Sequence, residues 1–300
     1  MAEALVVGAQ ASGDDGADAS ALVHPLRRFL SDRLAAAGLA IVLLLTLAAV
    51  LAPVLAPHDP TVIDPVRSLE GRSGDHPLGT DELGRDVLSR LLFGARWSLG
   101  IAALATFSVM LVGTVLGLVA GYFGRWVDGV IMRVVDSLLA LPSLVLYLAI
   151  IGTLGPGIRN VFIALVSISW AGYARVMRGM VLSVRERTFV RASRSLGASH
   201  QRLMLRHILP NVISPMVVLG SLQLGGTILG LAALGFFGLG AQPPTPEWGT
   251  MINQGRLFLQ TNPGLMIYPG VAISLAVLGF NLMGDGLRDV LDPQLARTTR

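Results

Sequence analysis

The sequence lacks two residue types completely. It contains no cysteine, which excludes a disulfide framework, thiolate metal ligands and a cysteine nucleophile. It contains no lysine either, because all 23 basic residues are arginine. A phosphate-binding loop of the G-x-x-x-x-G-K-[ST] type needs its lysine to contact the phosphates. We therefore expect that this chain does not hydrolyse ATP by that route.

The sequence is also poor in charge. Charged residues make up only 14% of the chain, whereas 53% is hydrophobic and the mean hydropathy is +0.66. Soluble domains average about 25% charged residues. The net charge of +4 is spread among polar segments and forms no basic, aromatic-interleaved patch, so no nucleic-acid partner is expected. This composition is typical of an integral membrane protein.

Long apolar segments predict the fold class. A helical span needs about 20 largely apolar residues, because the hydrocarbon core is about 30 Å thick. The sequence predicts an all-α integral membrane protein with six transmembrane helices, at about 34–55, 99–122, 134–154, 161–173, 212–239 and 266–283. Residues 1–20 lack helical periodicity and aromatic side chains, and we expect them to be disordered.

The distribution of arginine predicts the orientation, because cytoplasmic loops carry an excess of Lys and Arg. Segment 174–211 holds eight arginines against one acid, Glu186. With six spans, this loop and both termini lie on the cytoplasmic side. The chain then divides into a cytoplasmic tail, a first span with an extracytoplasmic segment, a five-span core that contains loop 174–211, and a cytoplasmic C-terminal tail, at 1–33, 34–97, 98–290 and 291–300.

The spans contain small residues at helix-packing spacing and few ionisable groups. Glycines follow a G-x-x-x-G pattern at 113, 117 and 121, and again at 226 and 230. This spacing fits packing within one subunit, and it equally fits a helix interface with a second subunit or along a pathway. Only Arg133 and Asp136 are ionisable and near a span, whereas a proton- or sodium-coupled carrier usually has acids or histidines inside its spans.

The cytoplasmic loop divides into two predicted helices. The first begins at Thr188 or Phe189 and ends at Leu196-Gly197, a turn that suits a helix C-cap. Ser199 is the predicted N-cap of the second, which ends before Pro210. A short helix with a small-residue face can dock in a groove of a partner. The alternative is a basic loop that only enforces topology or contacts anionic membrane lipid.

A third amphipathic helix is predicted near the start of the second span. Thr80 is a candidate N-cap, and the acids that follow it favour a helix N-terminus. We expect this helix, over 80–97, to lie on the outer membrane surface, either as a contact element or as a collar that fixes the second span. Trp248, in a proline-rich turn, is the predicted interfacial anchor. The five histidines are scattered and predict no metal site, and the sequence shows no nucleophile–base constellation.

The order of several motifs resembles a known family. A small-residue triplet (191–193), Gly197 and an I-L-P ending (208–210) resemble the Glu-Ala-Ala loop of ABC importer permeases. More specifically, the chain is similar to the C-type permease subunit of dipeptide/oligopeptide transporters. The supporting strings are HPLGTDELGRDVLSRLLFGARWSL (76–99), GPG (155–157), QPPTPEWG (242–249) and NLMGDGLRDVLDP (281–293).

The resemblance implies a type I ABC importer permease fold in the bacterial inner membrane. The implied partners are a B-type permease, which forms a heterodimer with this chain, cytoplasmic ATPase subunits that use ATP and Mg, and an extracytoplasmic binding protein. This chain then has no catalytic, cofactor or metal site of its own. The ATPase-coupling residues are Phe189, Val190, Arg191, Ala192, Ser193, Leu196, Gly197, Ala198, Ile208, Leu209 and Pro210. The candidates for extracytoplasmic contact are Thr80, Asp81, Gly84, Arg85, Asp86 and Trp248.

Two positions depart from the family pattern. Arg191 and Leu231 stand where family members usually have Glu, so the charge at the docking position is inverted and a carboxylate near the pathway is lost. The alternative function is a stand-alone secondary carrier or channel for small solutes. The scarcity of charge in the spans and the long basic loop argue against it. A membrane-embedded hydrolase would need a catalytic constellation, which the sequence does not show.

Overall fold

Residues 29–291, which the computed structural model describes, form helices joined by turns, with one isolated bridge between Thr80 and Asp86. The predicted disordered residues 1–20 lie outside this range, as does most of each predicted tail. The helices are α1 (Arg33–Val50), α2 (Ala52–Leu55), α3 (Val87–Phe123), α4 (Arg125–Leu139), α5 (Ser143–Leu154), α6 (Ile158–Arg185), α7 (Thr188–Ser195), α8 (His200–Phe236), α9 (Trp248–Gly255) and α10 (Gly264–Leu291), with 3-10 turns at Pro65–Arg67 and Arg256–Phe258.

Five of these helices are long and apolar enough to cross a membrane: α1, α3, α6, α8 and α10. Helices α4 and α5 pass the same test only as a pair, and they are bent by 91° at the break between them. The break falls at Pro142, which lacks an N–H and disfavours a helical residue before it. The prediction of helical spans is confirmed, whereas the third span is not the single helix that was expected.

Helix α6 is much longer than the fourth predicted span. It continues to Arg185, so about a third of the predicted loop 174–211 belongs to α6. One face of this extension is apolar, because Met177 and Val181 are fully buried against α3 and α8. Arg175 and Arg178 lie on its other side and form ion pairs with Asp136 and Asp128 of α4. Asp136 therefore pairs across helices and not with Arg133 on its own helix.

The predicted end of a helix before Pro210 is wrong. Helix α8 runs from His200 through Pro210 to Phe236, with a π-helical turn at Leu203–Ile208. A proline removes one hydrogen bond and its ring collides with the carbonyl of the preceding turn. The wider π turn lies immediately before the proline and changes the register of the backbone hydrogen bonds there. The chain can therefore continue as one helix.

Three glycines allow α3 and α6 to pack at very short range. A Cβ at Gly113 would lie 2.4 Å from the Cβ of Tyr173, and one at Gly117 would lie 2.6 Å from the Ala174 carbonyl oxygen. A Cβ at Gly121 would lie 2.8 Å from the Cβ of Val181. These glycines therefore serve packing within the chain, one of the two roles that their spacing allowed. Gly226 and Gly230 have no comparably close neighbour among the described residues.

Helix α1 packs on α10 and turns a leucine-rich face outward. Its buried residues are small (Ala35, Gly38 and Ala49), and a Cβ at Gly38 would lie 2.6 Å from the Cβ of Leu282 on α10. Its exposed leucines include Leu44, which is 67% exposed. Small residues between helices with large apolar residues outward are typical of a bundle surrounded by lipid.

Glu247 fixes the start of α9. Its fully buried carboxylate accepts hydrogen bonds from the backbone N–H groups of Gly249 (2.7 Å) and Thr250 (2.9 Å) and from Ser98 Oγ (3.2 Å). Burial raises the pKa of the Glu247 carboxyl, and these hydrogen bonds oppose the rise. Thr250 Oγ1 lies 3.0 Å from Glu247 Oε2 and 3.2 Å from the Ala241 carbonyl oxygen. A protonated Glu247 would donate to Oγ1 and leave the threonine proton for Ala241.

Trp248 is buried within the chain, so its indole is not the exposed anchor that the sequence predicts. It is 1% exposed, and its indole Nε1 donates to the Leu91 carbonyl at 3.0 Å. The missing side chain of Gly94 makes room for the ring, because a Cβ there would lie 3.0 Å from Trp248 Cδ1. The indole therefore attaches α9 to the first turns of α3.

Substitution of Gly117 tests the contact between α3 and α6. Gly117→Ala should destabilise the protein by about 1–3 kcal/mol, because the added methyl overpacks the interface. Gly100→Ala is the matched control, because Gly100 is on the same helix and a Cβ there would meet no described atom within 4 Å. The control should leave the thermal unfolding midpoint in detergent unchanged or raise it slightly. Equal midpoints for the two variants would contradict the packing argument.

Glu247 should make stability depend on pH. Between the ordinary pKa of glutamate, about 4.5, and its raised value in the folded protein, the folded state binds one proton more than the unfolded chain. Stability should therefore fall as the pH rises through this window, by at most about 1.4 kcal/mol per pH unit. Glu247→Gln keeps the neutral shape and should remove this part of the slope. Thermal unfolding between about pH 4 and about pH 8 measures it, and parallel curves for the two proteins would refute the assignment.

Candidate functional site

Helix α7 is a short, separate helix between α6 and α8. It is 8 residues long and ends at Ser195, with Leu196 as its C-cap, and the following Gly197 adopts a left-handed conformation with φ +82°. The N–H of Gly197 donates to the Arg194 carbonyl (3.0 Å) and that of Ala198 donates to the Ser193 carbonyl (3.1 Å). Ser199 then caps α8 by accepting from the N–H of Arg202 at 3.3 Å. The predicted start, glycine turn and serine cap of this loop are all confirmed.

Most of α7 is exposed. Val190 is fully buried and packs in the cluster formed by α3, α6 and α8. Phe189 is 40% exposed and Leu196 is 87% exposed, and Arg191 and Ala192 are exposed beside them. The helix is therefore attached through one apolar side chain and presents an apolar and basic face outward.

The remaining predicted loop residues are divided between the surface and the core. Ala198 packs against the same cluster as Val190, and Ser193 is half-buried. Ile208 is fully buried and Leu209 partly so, whereas Pro210 is exposed on the side of α8. The I-L-P string therefore contributes to the interior of the bundle and does not extend the exposed face of α7.

A polar cluster joins α7 and α8 to the end of α3. Tyr122, which is 5% exposed, places its hydroxyl 2.7 Å from His200 Nδ1. Arg185 Nη1 donates to the carbonyls of Gly121 (2.9 Å) and Tyr122 (3.2 Å), which satisfies backbone acceptors at the C-terminus of α3. The guanidinium of Arg194 lies 5.9 Å from the Tyr122 ring centroid. Three helices thus meet at one tyrosine.

At the opposite end of α3, no separate surface helix forms over residues 80–86. Helix α3 itself begins at Val87 with Asp86 as its N-cap. The Oδ2 atom of Asp86 accepts a hydrogen bond from the Ser89 N–H at 2.7 Å, so Thr80 is not the cap. Gly84 has φ +75° and lies so close to Asp64 that a Cβ would be 1.8 Å from its carbonyl oxygen. That conformation and that contact prevent a helix from passing through residue 84.

Residues 80–90 instead form a buried ion network. Asp81 Oδ2 lies 2.7 Å from Arg85 Nε and 3.3 Å from Arg90 Nε. Asp81 therefore pairs with Arg85 within a turn and also with Arg90, the fourth residue of α3. Thr80 is fully buried and its Oγ1 accepts from the Glu70 N–H at 2.8 Å.

The six candidates for extracytoplasmic contact are all buried within the chain. Exposure is 5% or less at Thr80, Asp81, Arg85, Asp86 and Trp248, and Gly84 is buried as well. The prediction that they form an exposed contact surface is therefore wrong, because they are packed against other parts of the same chain. The sequence therefore singled out residues that do form a cluster, but it predicted the wrong environment for them. Alternating acids and arginines are equally compatible with an exposed helix and with a buried network.

Three groups come together that sequence reasoning missed. His76 Nδ1 lies 2.9 Å from Asp86 Oδ1, and His58 Nδ1 lies 3.9 Å from the same oxygen. The rings of His58 and His76 are 4.6 Å apart. No local signal in the sequence links these residues, because each comes from a different turn of the segment before α3.

A cavity of about 420 Å³ opens between α4, α5, α6 and α8. Its polar groups include Tyr147, Ser169 and Gln223, and Tyr147 Oη lies 2.9 Å from Ser169 Oγ. Leu231 does not line this cavity. It is fully buried in an apolar cluster that includes Leu165. At the position where family members usually have Glu, this chain therefore has a packed core side chain.

Family comparison agrees with this arrangement. Residues 113–297 match the family described as binding-protein-dependent transport system inner membrane component. Residues 24–71 match the N-terminal TM domain of oligopeptide transport permease C.

Characterised relatives cover almost the whole chain. The dipeptide transport system permease protein DppC of Alkalihalophilus pseudofirmus is 43% identical over 90% of this chain and 88% of its own length. The glutathione transport system permease protein GsiD of Pectobacterium atrosepticum is 44% identical over 90% of each chain. The di/tripeptide transport system permease protein DppC of Pseudomonas aeruginosa is 45% identical over 89% of this chain and 90% of its own. The chain therefore belongs to the family of binding-protein-dependent inner-membrane transport components, and it is a multi-pass permease subunit of a bacterial ABC importer.

Proposed function

We propose that this chain is the C-type permease of an ATP-driven importer for peptides or peptide-like solutes, and that α7 is its coupling helix. The observation that carries the proposal is the attachment of α7: one buried side chain holds it, and its apolar and basic face is exposed. A partner protein can bury this face. Since the chain has no phosphate-binding lysine loop, ATP and Mg would be used by separate ATPase subunits, and this chain itself would not be an enzyme.

In this proposal the end of the bundle that carries α7 is cytoplasmic. The arginines of segment 174–211 support this orientation by the positive-inside rule. If the bent pair α4–α5 counts as one span, six spans place both termini on the same side as α7. The predicted division at 33, 97 and 290 then separates two cytoplasmic tails, an extracytoplasmic segment and a five-span type I core.

The proposed heterodimer partner is a B-type permease that completes the translocation pathway. The cavity between α4, α5, α6 and α8 would be the half of the pathway that this subunit supplies. Gly226 and Gly230 support a close approach by a second subunit, since the nearest described atoms would lie 3.5 Å and 3.8 Å from a Cβ at these positions and leave room beside them. An extracytoplasmic binding protein would dock at the other end of α3, on the exposed neighbours of the buried ion network.

The proposed solute class follows the relatives, which are named for transport of dipeptides, di- and tripeptides, and glutathione. All of these solutes carry amide groups and charged ends. Tyr147, Ser169 and Gln223 in the cavity offer hydroxyl and amide groups that suit such solutes. Among the described residues, the lining of this cavity includes no charged side chain that would hold a charged solute tightly.

The alternative, a stand-alone ion-coupled carrier, has weaker support. The carboxylates inside α4 are Asp128 and Asp136, and both are paired with arginines of α6. A group that binds and releases a coupling ion has to be available to that ion. Paired as they are, these two acids serve the contact between α4 and α6.

Leu196 provides the test of docking. Leu196→Asp should weaken binding of the ATPase subunits to the reconstituted permease pair by about 10- to 160-fold, because burying a leucine stabilises a contact by about 1.5–3 kcal/mol. Folding should not change, because Leu196 is 87% exposed. Val66→Asp is the control, since Val66 is 95% exposed at the opposite end. Unchanged ATPase binding, with transport that survives ATP depletion and stops when the proton gradient collapses, would overturn the proposal.

Tyr122 provides the test of coupling after docking. Tyr122→Phe removes the hydroxyl that contacts His200 and should lower the amount of solute transported per ATP hydrolysed by about fivefold, which corresponds to about 1 kcal/mol. Binding of the ATPase subunits should be unaffected. Tyr268→Phe is the control, because it removes a hydroxyl that accepts from Arg72 at the other end of the bundle. A normal ratio in the Tyr122 variant would show that this contact is only structural.

A further inference from the structure

We infer that His58, His76 and Asp86 form a binding site for a divalent transition-metal ion of the zinc class, at the end of α3 opposite to α7. The candidate ligand atoms of all three residues lie within 4.8 Å of one another. His76 Nδ1 is 2.9 Å and His58 Nδ1 is 3.9 Å from Asp86 Oδ1. Zinc bonds of about 2.0–2.2 Å in a tetrahedral site place neighbouring ligands about 3.4 Å apart. The two contacts to Asp86 Oδ1 would each change by about half an ångström to reach this spacing.

The three ligands are held by hydrogen bonds that leave the metal-facing atoms free to coordinate. Asp86 Oδ2 accepts from the Ser89 N–H at 2.7 Å, so the helix cap orients the carboxylate and Oδ1 faces the histidines. The backbone N–H of His58 donates to Ser89 Oγ at 3.1 Å, and the backbone N–H of His76 donates to Ser73 Oγ at 3.0 Å. These two contacts fix the backbone at the histidines and do not orient their rings. The hydrogen bond that orients the Asp86 carboxylate is of the kind found around ligating carboxylates in protein metal sites.

Arg67 determines which ring nitrogen of His76 carries the proton before metal binding. Its Nη1 lies 3.1 Å from His76 Nε2, and arginine can only donate, so Nε2 is the acceptor and Nδ1 carries the proton that points to Asp86. Metal binding at Nδ1 requires the other neutral tautomer, so the single ring proton moves from Nδ1 to Nε2 and the ring releases no proton. Arg67 then has to turn away from Nε2. Its side chain is 44% exposed and already lies within 3.8 Å of Asp64 and 3.6 Å of Asp75, which would receive it.

The surroundings provide space and charge for a cation. A cavity of about 180 Å³ adjoins the three residues and is also lined by Asp59 and Asp64, so a water or a carboxylate can complete the coordination. The His58 side chain is 42% exposed, which gives the ion access. Two imidazoles favour zinc-class ions over Mg²⁺ and Ca²⁺, which prefer oxygen ligands. A bound ion would fasten the segment after α2 to the first turn of α3.

Titration calorimetry with Zn²⁺ on the full chain in detergent, without a polyhistidine tag, tests the inference. We expect one ion per chain, and His58→Ala should lower the affinity by at least about 100-fold, since even changes outside the ligand set cost about 10- to 100-fold. His207→Ala is the matched control, because this histidine lies near α7, and it should bind as the unmodified protein does. Ca²⁺ should not bind. Absence of Zn²⁺ binding, or equal affinity in both variants, would overturn the inference.

The absorption spectrum of bound Co²⁺ gives a second, independent measurement. The unmodified protein should show the strong visible bands of four-coordinate Co²⁺, and His58→Ala should lose them. Weak bands of a six-coordinate ion in the unmodified protein would overturn the proposed ligand set. His58 is the position of choice because it is the most exposed of the three, whereas Asp86 also caps α3. Equal unfolding midpoints of the two metal-free proteins would show that lost binding does not reflect lost folding.

Discussion

The close contact between α3 and α6 is the constraint on which the other parts of the structure depend. Three glycines along one face of α3 let the two backbones approach to a distance that no side chain would allow. Lipid supplies no hydrophobic drive for helices to associate, so such contacts depend on the fit of small residues. Because α3 is 37 residues long, about 55 Å at 1.5 Å per residue, the same helix extends well beyond a hydrocarbon core of about 30 Å.

The two ends of α3 differ in how their polar groups are satisfied. Around Asp86, the side chains of Asp81, Arg85 and His76 are buried and paired within the chain. Around Tyr122, the side chains of α7 remain outside the core and only Val190 is buried. The two ends of this helix therefore differ: polar side chains are paired inside the chain at one end, and the face of α7 is exposed at the other.

The sequence was sufficient wherever a local signal decided the structure. Apolar length predicted helices, and Gly197 and Ser199 correctly predicted the end of α7 and the start of α8. It failed where a contact with a distant residue, or an irregular turn, determined the structure. Helix α6 continues past residue 173, where Arg175 and Arg178 form ion pairs with acids of α4. Helix α8 continues through Pro210 because a π turn precedes it. Residues 80–86 turn because Gly84 lies against Asp64, and no sequence period reports that contact.

Few contacts attach α7 to the rest of the chain. Burial of Val190 contributes about 1.5–3 kcal/mol, and the contact of the Arg194 guanidinium with the Tyr122 ring adds about 0.5–1 kcal/mol. These contributions orient an 8-residue helix but do not hold it against a load. Force on α7 would instead pass through its short connections to α6 and α8, two residues on one side and four on the other. Since α6 packs closely on α3 at three glycines, a displacement of α7 by the proposed ATPase partner would move these helices together, which a long flexible loop of the same composition would not achieve.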